Sequence, residues 1–281
     1  MKNVGFFIRV HIWNHKVKNI INSVVCGEWE DKLDLVDANS VDCIITSPPC
    51  NIQIEDIDEK VFVEYGKKIP YEEYLFRMTV LFAQAYRVLK TGGRLCIHVK
   101  DGSNGQVPIH ADFISLIRER FKFKMMTTII WKNKGLGSST AWGSYMSPSC
   151  PSFRTPFDYI IVAAKGTRKH EGHEEHNTIT QEQFLRNSTS FWEAPEKRSK
   201  LPLKGFKEST PLELSQRLIE QLTYENDLVV DPFNGIGSTC VSAKKLCRRF
   251  IGIEQSQELV NVANKWLSET EVEAKYKSLF G

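Results

Sequence analysis

The chain has 281 residues, 41% of them hydrophobic and 11% aromatic, which is enough apolar material for a large core and excludes a disordered segment. Its formal charge of +3 is compatible with a polyanionic partner without demonstrating one. Seven cysteines with no CxxC pair argue against a zinc ribbon or disulfide framework, and no apolar run is long enough to span a membrane. Cys43 and Cys96 lie in apolar runs and read as core residues of a reducing compartment. The start, MKNVGFFIRVHIW, is broken by Arg9 and His11 and does not read as a signal peptide, so a cytoplasmic α/β protein is expected.

VDCIITS predicts a buried strand over 41–46, stopped by Ser47, Pro48 and Pro49. Proline donates no backbone hydrogen, and the residue before it is pushed toward extended geometry, so TSPPC must form a stiff turn at the strand's C-terminal end. In open α/β sheets that is where ligands bind. Tyr74, Leu75, Met78, Leu81, Phe82, Ala85 and Leu89 recur at helical spacing, and Gly92-Gly93 reads as the C-terminal stop of that helix. RLCIHVK predicts a strand over 94–100, ADFISLIRERF a helix, and 124–133 and 158–165 two further strands. Between those two strands a long loop of glycine, serine and proline carries Trp142 and Tyr145.

Residues 166–207 are dense in charge and lack a clear alternation of strand and helix, so they read as a functional insertion. A helix resumes at TPLELSQRLIEQL, with Thr210 as the expected N-cap, Pro211 in the first helical position and Glu213 three residues past the cap. The strand DLVVD, the loop PFNGIGST, a helix near 238–247, the strand FIGIE at 250–254 and a final helix complete the chain.

LVVDPFNGIGSTC combines a strand end, an acid and a GxG turn that opens a helix. Gly235 and Gly237 permit close approach of a ligand, and helix N-terminal amides remain free to donate. Glu254 ends the next strand 23 residues after Asp231, at the position that accepts ribose hydroxyls in doubly wound folds. A nucleoside-containing cofactor follows. The GK[ST] ending of a Walker A loop is absent, and no third glycine completes GxGxxG.

DPFNGIGST with FIGIE late in the chain, and TSPPC early, together resemble the β-type, circularly permuted amino-DNA methyltransferases, which use S-adenosyl-L-methionine. SVVCGEWEDKLDLVDANSVDCIITSPP and STPLELSQRLI resemble further family elements, so the likeness covers nearly the whole chain. The resemblance implies a Rossmann-like class I methyltransferase fold, with a seven-stranded, mostly parallel sheet and one antiparallel strand. It implies one domain over 1–281: a catalytic half (1–165), a target-recognition insertion (166–207) and a cofactor-binding half (208–281). SVVC, 23–26, would supply the strand missing after the final helix. Cofactor positions implied are Asp231, Pro232, Phe233, Asn234, Gly235, Gly237, Thr239, Glu254, Glu28 and Thr210, with Ser209 and Pro211 nearby.

The catalytic residues implied are Ser47, Pro48, Pro49 and Cys50. An exocyclic amino nitrogen is a poor nucleophile because its lone pair is conjugated with the ring. The Ser47 hydroxyl and Pro48 carbonyl would accept its N–H hydrogens, favour tetrahedral geometry and support the positive charge that grows during attack. The base must be extruded from the duplex and normally stacks on an aromatic ring. Cys50 stands where the family carries Tyr or Phe, so either another aromatic, Tyr65, Trp131 or Trp142, supplies the stack or base binding is weak. Pro49-Cys50 matches the dipeptide of C5-cytosine enzymes, but its surroundings match the amino-methylating turn. Gly27-Glu28 replaces the family's frequent Gly-Asp, or else Glu28 is simply a solvated acid of the EWED run.

Serine before the prolines leans toward N4 of cytosine; the adenine N6 enzymes more often carry Asp or Asn there. Two rival classes are a cofactor-retaining DNA-binding module with little turnover and an RNA-modifying enzyme. Arg168, Lys169, Arg186, Lys197, Arg198, Lys200, Lys204 and Lys207 form an interrupted basic set for phosphate and guanine contacts, though nearby glutamates nearly cancel it. His170, His173 and His176 do not match HExxH, and no metal is expected. His98 either lines the pocket or serves structure. Expected partners are double-stranded DNA and a separately acting restriction endonuclease, with a monomer or weak dimer and no membrane.

Overall fold

The computed structural model describes residues 20–49, 69–102, 105–133, 143–153, 155–172, 174–195, 202 and 210–272. Among them, one eight-stranded sheet runs in the order β1-β8-β7-β2-β3-β5-β4-β6. The strands are β1 (Ser23–Cys26), β2 (Val41–Thr46), β3 (Leu89–Val99), β4 (Lys124–Lys132), β5 (Phe157–Ala164), β6 (Phe191–Glu193), β7 (Leu228–Asp231) and β8 (Arg249–Glu254). β5 is antiparallel to both β3 and β4, and every other pairing is parallel. The expected mostly parallel sheet with one antiparallel strand is therefore present, one strand larger than expected. β1 pairs with β8, so the sheet is built from both ends of the chain.

The helices are α1 (Trp29–Leu33), α2 (Tyr71–Val88), α3 (Ile109–Ser115, continued as a π turn to Arg120), α4 (Gln181–Asn187), α5 (Leu212–Leu222), α6 (Ser238–Lys245) and α7 (Gln257–Glu269). They cover both faces, which is why the central strands are continuous apolar runs: all six residues of β2 are buried. Ile44, Leu95, Ile97 and Val230 pack with α2 and α3 on one face. Cys43, Ile45, Cys96 and Val229 pack with α5, α6 and α7 on the other, as small core residues.

Three local expectations change. Helix α2 ends because Leu89 turns extended and enters β3; Gly92-Gly93 lies inside that strand. Gly92 (φ +81°) is needed there because a Cβ would strike the Lys169 carbonyl. Pro211, rather than Thr210, is the N-cap of α5, and no side chain caps it, so the expected capping pair is absent. Finally, 166–207 is not irregular throughout: Thr180 and Gln183 form a capping box for α4, and β6 extends the sheet beside β4.

Candidate active site

Strand order reverses between β2 and β7. β2 leads outward through α2 to β3, and β7 leads the other way through α6 to β8. The crevice outside the C-terminal ends at such a reversal is where doubly wound sheets bind ligands. Ser47 follows β2 and Asp231 ends β7, so the two halves of the expected site meet at this crevice. A direct bond joins them: Thr46 Oγ1 donates to Asp231 Oδ1 at 2.8 Å, with both residues buried. Thr46 is the linking residue that sequence reasoning passed over, although it stands in the quoted TSPPC.

Asp231 Oδ1 also accepts the Phe233 N–H at 3.0 Å. Burial pushes the Asp231 carboxyl up to about 6, against the lowering effect of hydrogen bonds from Thr239, Phe233 N–H and Thr46. Nearby Glu254 raises it further. A buried carboxylate beside a second acid is best stabilised by a cationic partner.

The glycine loop is held from below. Asn234 N–H donates to the Ile253 carbonyl at 2.9 Å, and Asn234 Oδ1 accepts from Cys240 Sγ at 3.0 Å. Gly237 (φ +99°) caps α6 in the left-handed region. Glu254 accepts Gly235 N–H at 2.9 Å and Ser256 N–H at 2.8 Å. These two bonds fix the Glu254 carboxylate beside the glycine loop, at the end of β8. Pro232, Phe233, Asn234, Gly235, Gly237 and Thr239 thus gather around Asp231 as one loop and helix start.

Glu28 is exposed and begins α1, just past β1, whose last residue Cys26 is in register with Glu254. With the Gln255 amide nitrogen turned toward it, Gln255 donates to both Glu28 oxygens at 3.0 and 3.1 Å. Next to Glu28, the buried Trp29 ring lies 6.0 Å from Phe233 and supports the loop. Thr210 is buried at the start of the α5 segment.

Ser47 and Pro48 are buried and Pro49 is half-buried; Cys50 lies outside the described residues, as do Tyr65, Trp142 and Ser209. Trp131 is fully buried in the core with Ile160 and Trp192, so it offers no ring face to a base. His98 is buried, and its Nε2 lies 3.2 Å from Asp158 Oδ2. Burial alone would raise the Asp158 pKa, but hydrogen bonds from His98 and Asn133 hold it below the usual value. Of the basic set, Arg168 donates to the Met125 carbonyl, and Arg186 pairs with Glu220 at 3.1 Å. Lys197, Arg198, Lys200, Lys204 and Lys207 lie outside the described residues.

The loop, the buried acid and the Glu254 carboxylate fit a cofactor with a cationic amino-acid end and a ribose. Comparison with known proteins agrees with this geometry. M.MjaVI, a type II methyltransferase of Methanocaldococcus jannaschii, is 35% identical over 191 residues, covering 67% of this chain and 91% of the relative. M.BglII, a type II methyltransferase from Bacillus subtilis, is 27% identical over 278 residues, covering 92% and 72%. Among solved structures, TTHA0409 from Thermus thermophilus, crystallised with S-adenosyl-L-methionine, superposes with a TM-score of 0.67 at 24% identity, covering 88% of this chain and 94% of that one. The DNA methylase family model, which spans N6 and N4 enzymes, matches residues 41–265, from β2 into α7. With that match enclosing both the Ser47 turn and the Asp231 loop, the chain belongs to the N6/N4 DNA methylase family.

Proposed function

We propose that this DNA methyltransferase modifies the exocyclic N4 of cytosine in duplex DNA, as the modification partner of a restriction endonuclease. The observation that carries the reading is the buried Thr46–Asp231 hydrogen bond, which ties the Ser-Pro-Pro turn to the cofactor loop. The cofactor is S-adenosyl-L-methionine, which supplies a methyl group on a positively charged sulfur. Asp231 and the Phe233–Gly237 loop hold its methionine end, Glu254 its ribose, and Glu28 the rim of its adenine pocket.

Ser47 Oγ and the Pro48 carbonyl accept the N–H hydrogens of the target amine. This directs its lone pair toward the methyl group and stabilises the charge that develops on nitrogen. Proline rigidity keeps these acceptors aimed before the base arrives. Serine is a short, neutral acceptor that suits a pyrimidine seated deep in the turn, which favours cytosine over adenine. The type II methyltransferase names of M.MjaVI and M.BglII support the restriction–modification setting. Residues 166–207, with help from the 132–157 loop, form the target-recognition region in this reading.

The test is nucleoside mass spectrometry of a duplex DNA library of mixed sequence and, in parallel, of structured RNA, each after incubation with the protein and isotopically labelled S-adenosyl-L-methionine. Labelled N4-methylcytosine is expected. N6-methyladenine would overturn the base assignment alone, and label confined to structured RNA would overturn the substrate.

A further inference from the structure

A second cluster lies at the opposite, N-terminal edge of the parallel strands. Asp42 near the start of β2, Asp227 just before β7, and His170 bring one ligand atom each within 4.8 Å of one another. Asp42 and Asp227 precede Ser47 and Asp231 by five and four residues on their strands, which puts the cluster about 15 Å from the active crevice. His170 Nε2 lies 2.8 Å from Asp227 Oδ2, and the Asp42 side chain is 2% exposed.

The cluster borders a cavity of about 370 Å³ lined by Asp42, Lys90, Glu171, His176, Glu225 and Asp227 among others. Glu225 is 7% exposed, and its Oε1 is buried without a hydrogen-bond partner among the described residues. Four carboxylates around one cavity, one oxygen unpartnered, form an arrangement that a bound cation stabilises.

The backbone is built to hold His170 there. Gly172 lies so close to the Tyr224 ring that a Cβ would sit 2.3 Å from it, and the His170 ring stacks on the same tyrosine at 5.5 Å. Arg94 Nη2 donates to the Arg168 carbonyl at 2.9 Å, and Glu225 N–H to the His176 carbonyl at 3.0 Å. This segment is therefore fixed on both sides of the cavity.

We propose that Asp42, His170 and Asp227 bind a divalent transition-metal ion of the zinc class, which fastens the 166–176 segment to the sheet. One imidazole with carboxylates suits such an ion better than magnesium, which prefers oxygen ligands and retains its waters. Lys90 Nζ contacts Asp42 Oδ1 at 2.6 Å on a side chain that is 43% exposed, so it is the resident competitor and can swing out. The proposal departs from the expectation of no metal and replaces the His170, His173 and His176 trio with a histidine–carboxylate set; His173 lies outside the described residues.

The test is calorimetric titration of chelator-treated full-length protein with Zn²⁺, with Mg²⁺ as control and X-ray absorption on the zinc-loaded protein. One Zn²⁺ per chain is expected, with nitrogen and oxygen ligands. Lys90→Gln should bind it at least threefold more tightly, and His170→Gln at least tenfold more weakly with cofactor affinity unchanged. No zinc binding, sulfur in the absorption spectrum, or weaker binding by Lys90→Gln would overturn the site. If His170→Gln fails to fold, Lys90→Gln and the spectrum still decide it.

Discussion

Asp231 is the residue on which the site's electrostatics turn. With its carboxyl raised to about 6 by burial, the folded protein binds more protons than the unfolded chain between roughly pH 4 and 6. The sign follows from linkage: a raised acid favours the neutral folded form, so this group's contribution to stability falls as pH rises through that window. In the proposed binding mode the ionised carboxylate faces the cofactor's ammonium group, so binding would release the proton. Calorimetry should show about tenfold weaker S-adenosyl-L-methionine binding at pH 5 than at pH 7.5, and Asp231→Asn should flatten that slope. Asp231 was legible as an acid closing a strand before a GxG turn. Thr46 was not, because its partner is 185 residues away and only strand adjacency brings them together.

At the scale of elements, the glycine loop depends on the strand beneath it. A Cβ on Gly252 would lie 2.6 Å from Asn234 Oδ1 and 2.9 Å from Cys240 Sγ, both of which are buried. Gly252→Ala should cost about 1–3 kcal/mol in a thermal or denaturant melt. It should also weaken cofactor binding, because Asn234 must move and takes the loop with it; an unchanged melt and affinity would contradict this packing. Strand periodicity and the acid–GxG spacing made β2, β7, β8 and α6 legible. Gly92-Gly93 misled because a glycine required by a close approach to Lys169 looks the same in sequence as one that ends a helix. The strand β6 escaped notice because three residues, FWE, within a charged stretch carry no periodic signal. The TQEQ capping signal for α4, Thr180 to Gln183, was present and could have been read.

Across the whole molecule, the sheet is built from both ends of the chain, with β1 against β8, and this places Glu28 and Glu254 at the same edge as Ser47 and Asp231. That pairing was legible because the circular order of the resembled family implied that SVVC, 23–26, would supply a strand of the sheet. The source of the aromatic stack was not legible. The burial of Trp131 depends on how β4, β5 and β6 pack, which a tryptophan's position in sequence does not reveal. The central claim is that the Ser47 turn activates an amine beside a cofactor held independently by the Asp231 loop. Single-turnover methyl transfer to duplex DNA, measured with S-adenosyl-L-methionine affinity for wild type and Ser47→Ala, tests it most directly. The account predicts transfer slowed at least a hundredfold with affinity changed by less than about threefold, since one lost acceptor of developing charge costs about that much. Wild-type transfer by Ser47→Ala, or cofactor affinity lost in step with transfer, would contradict it.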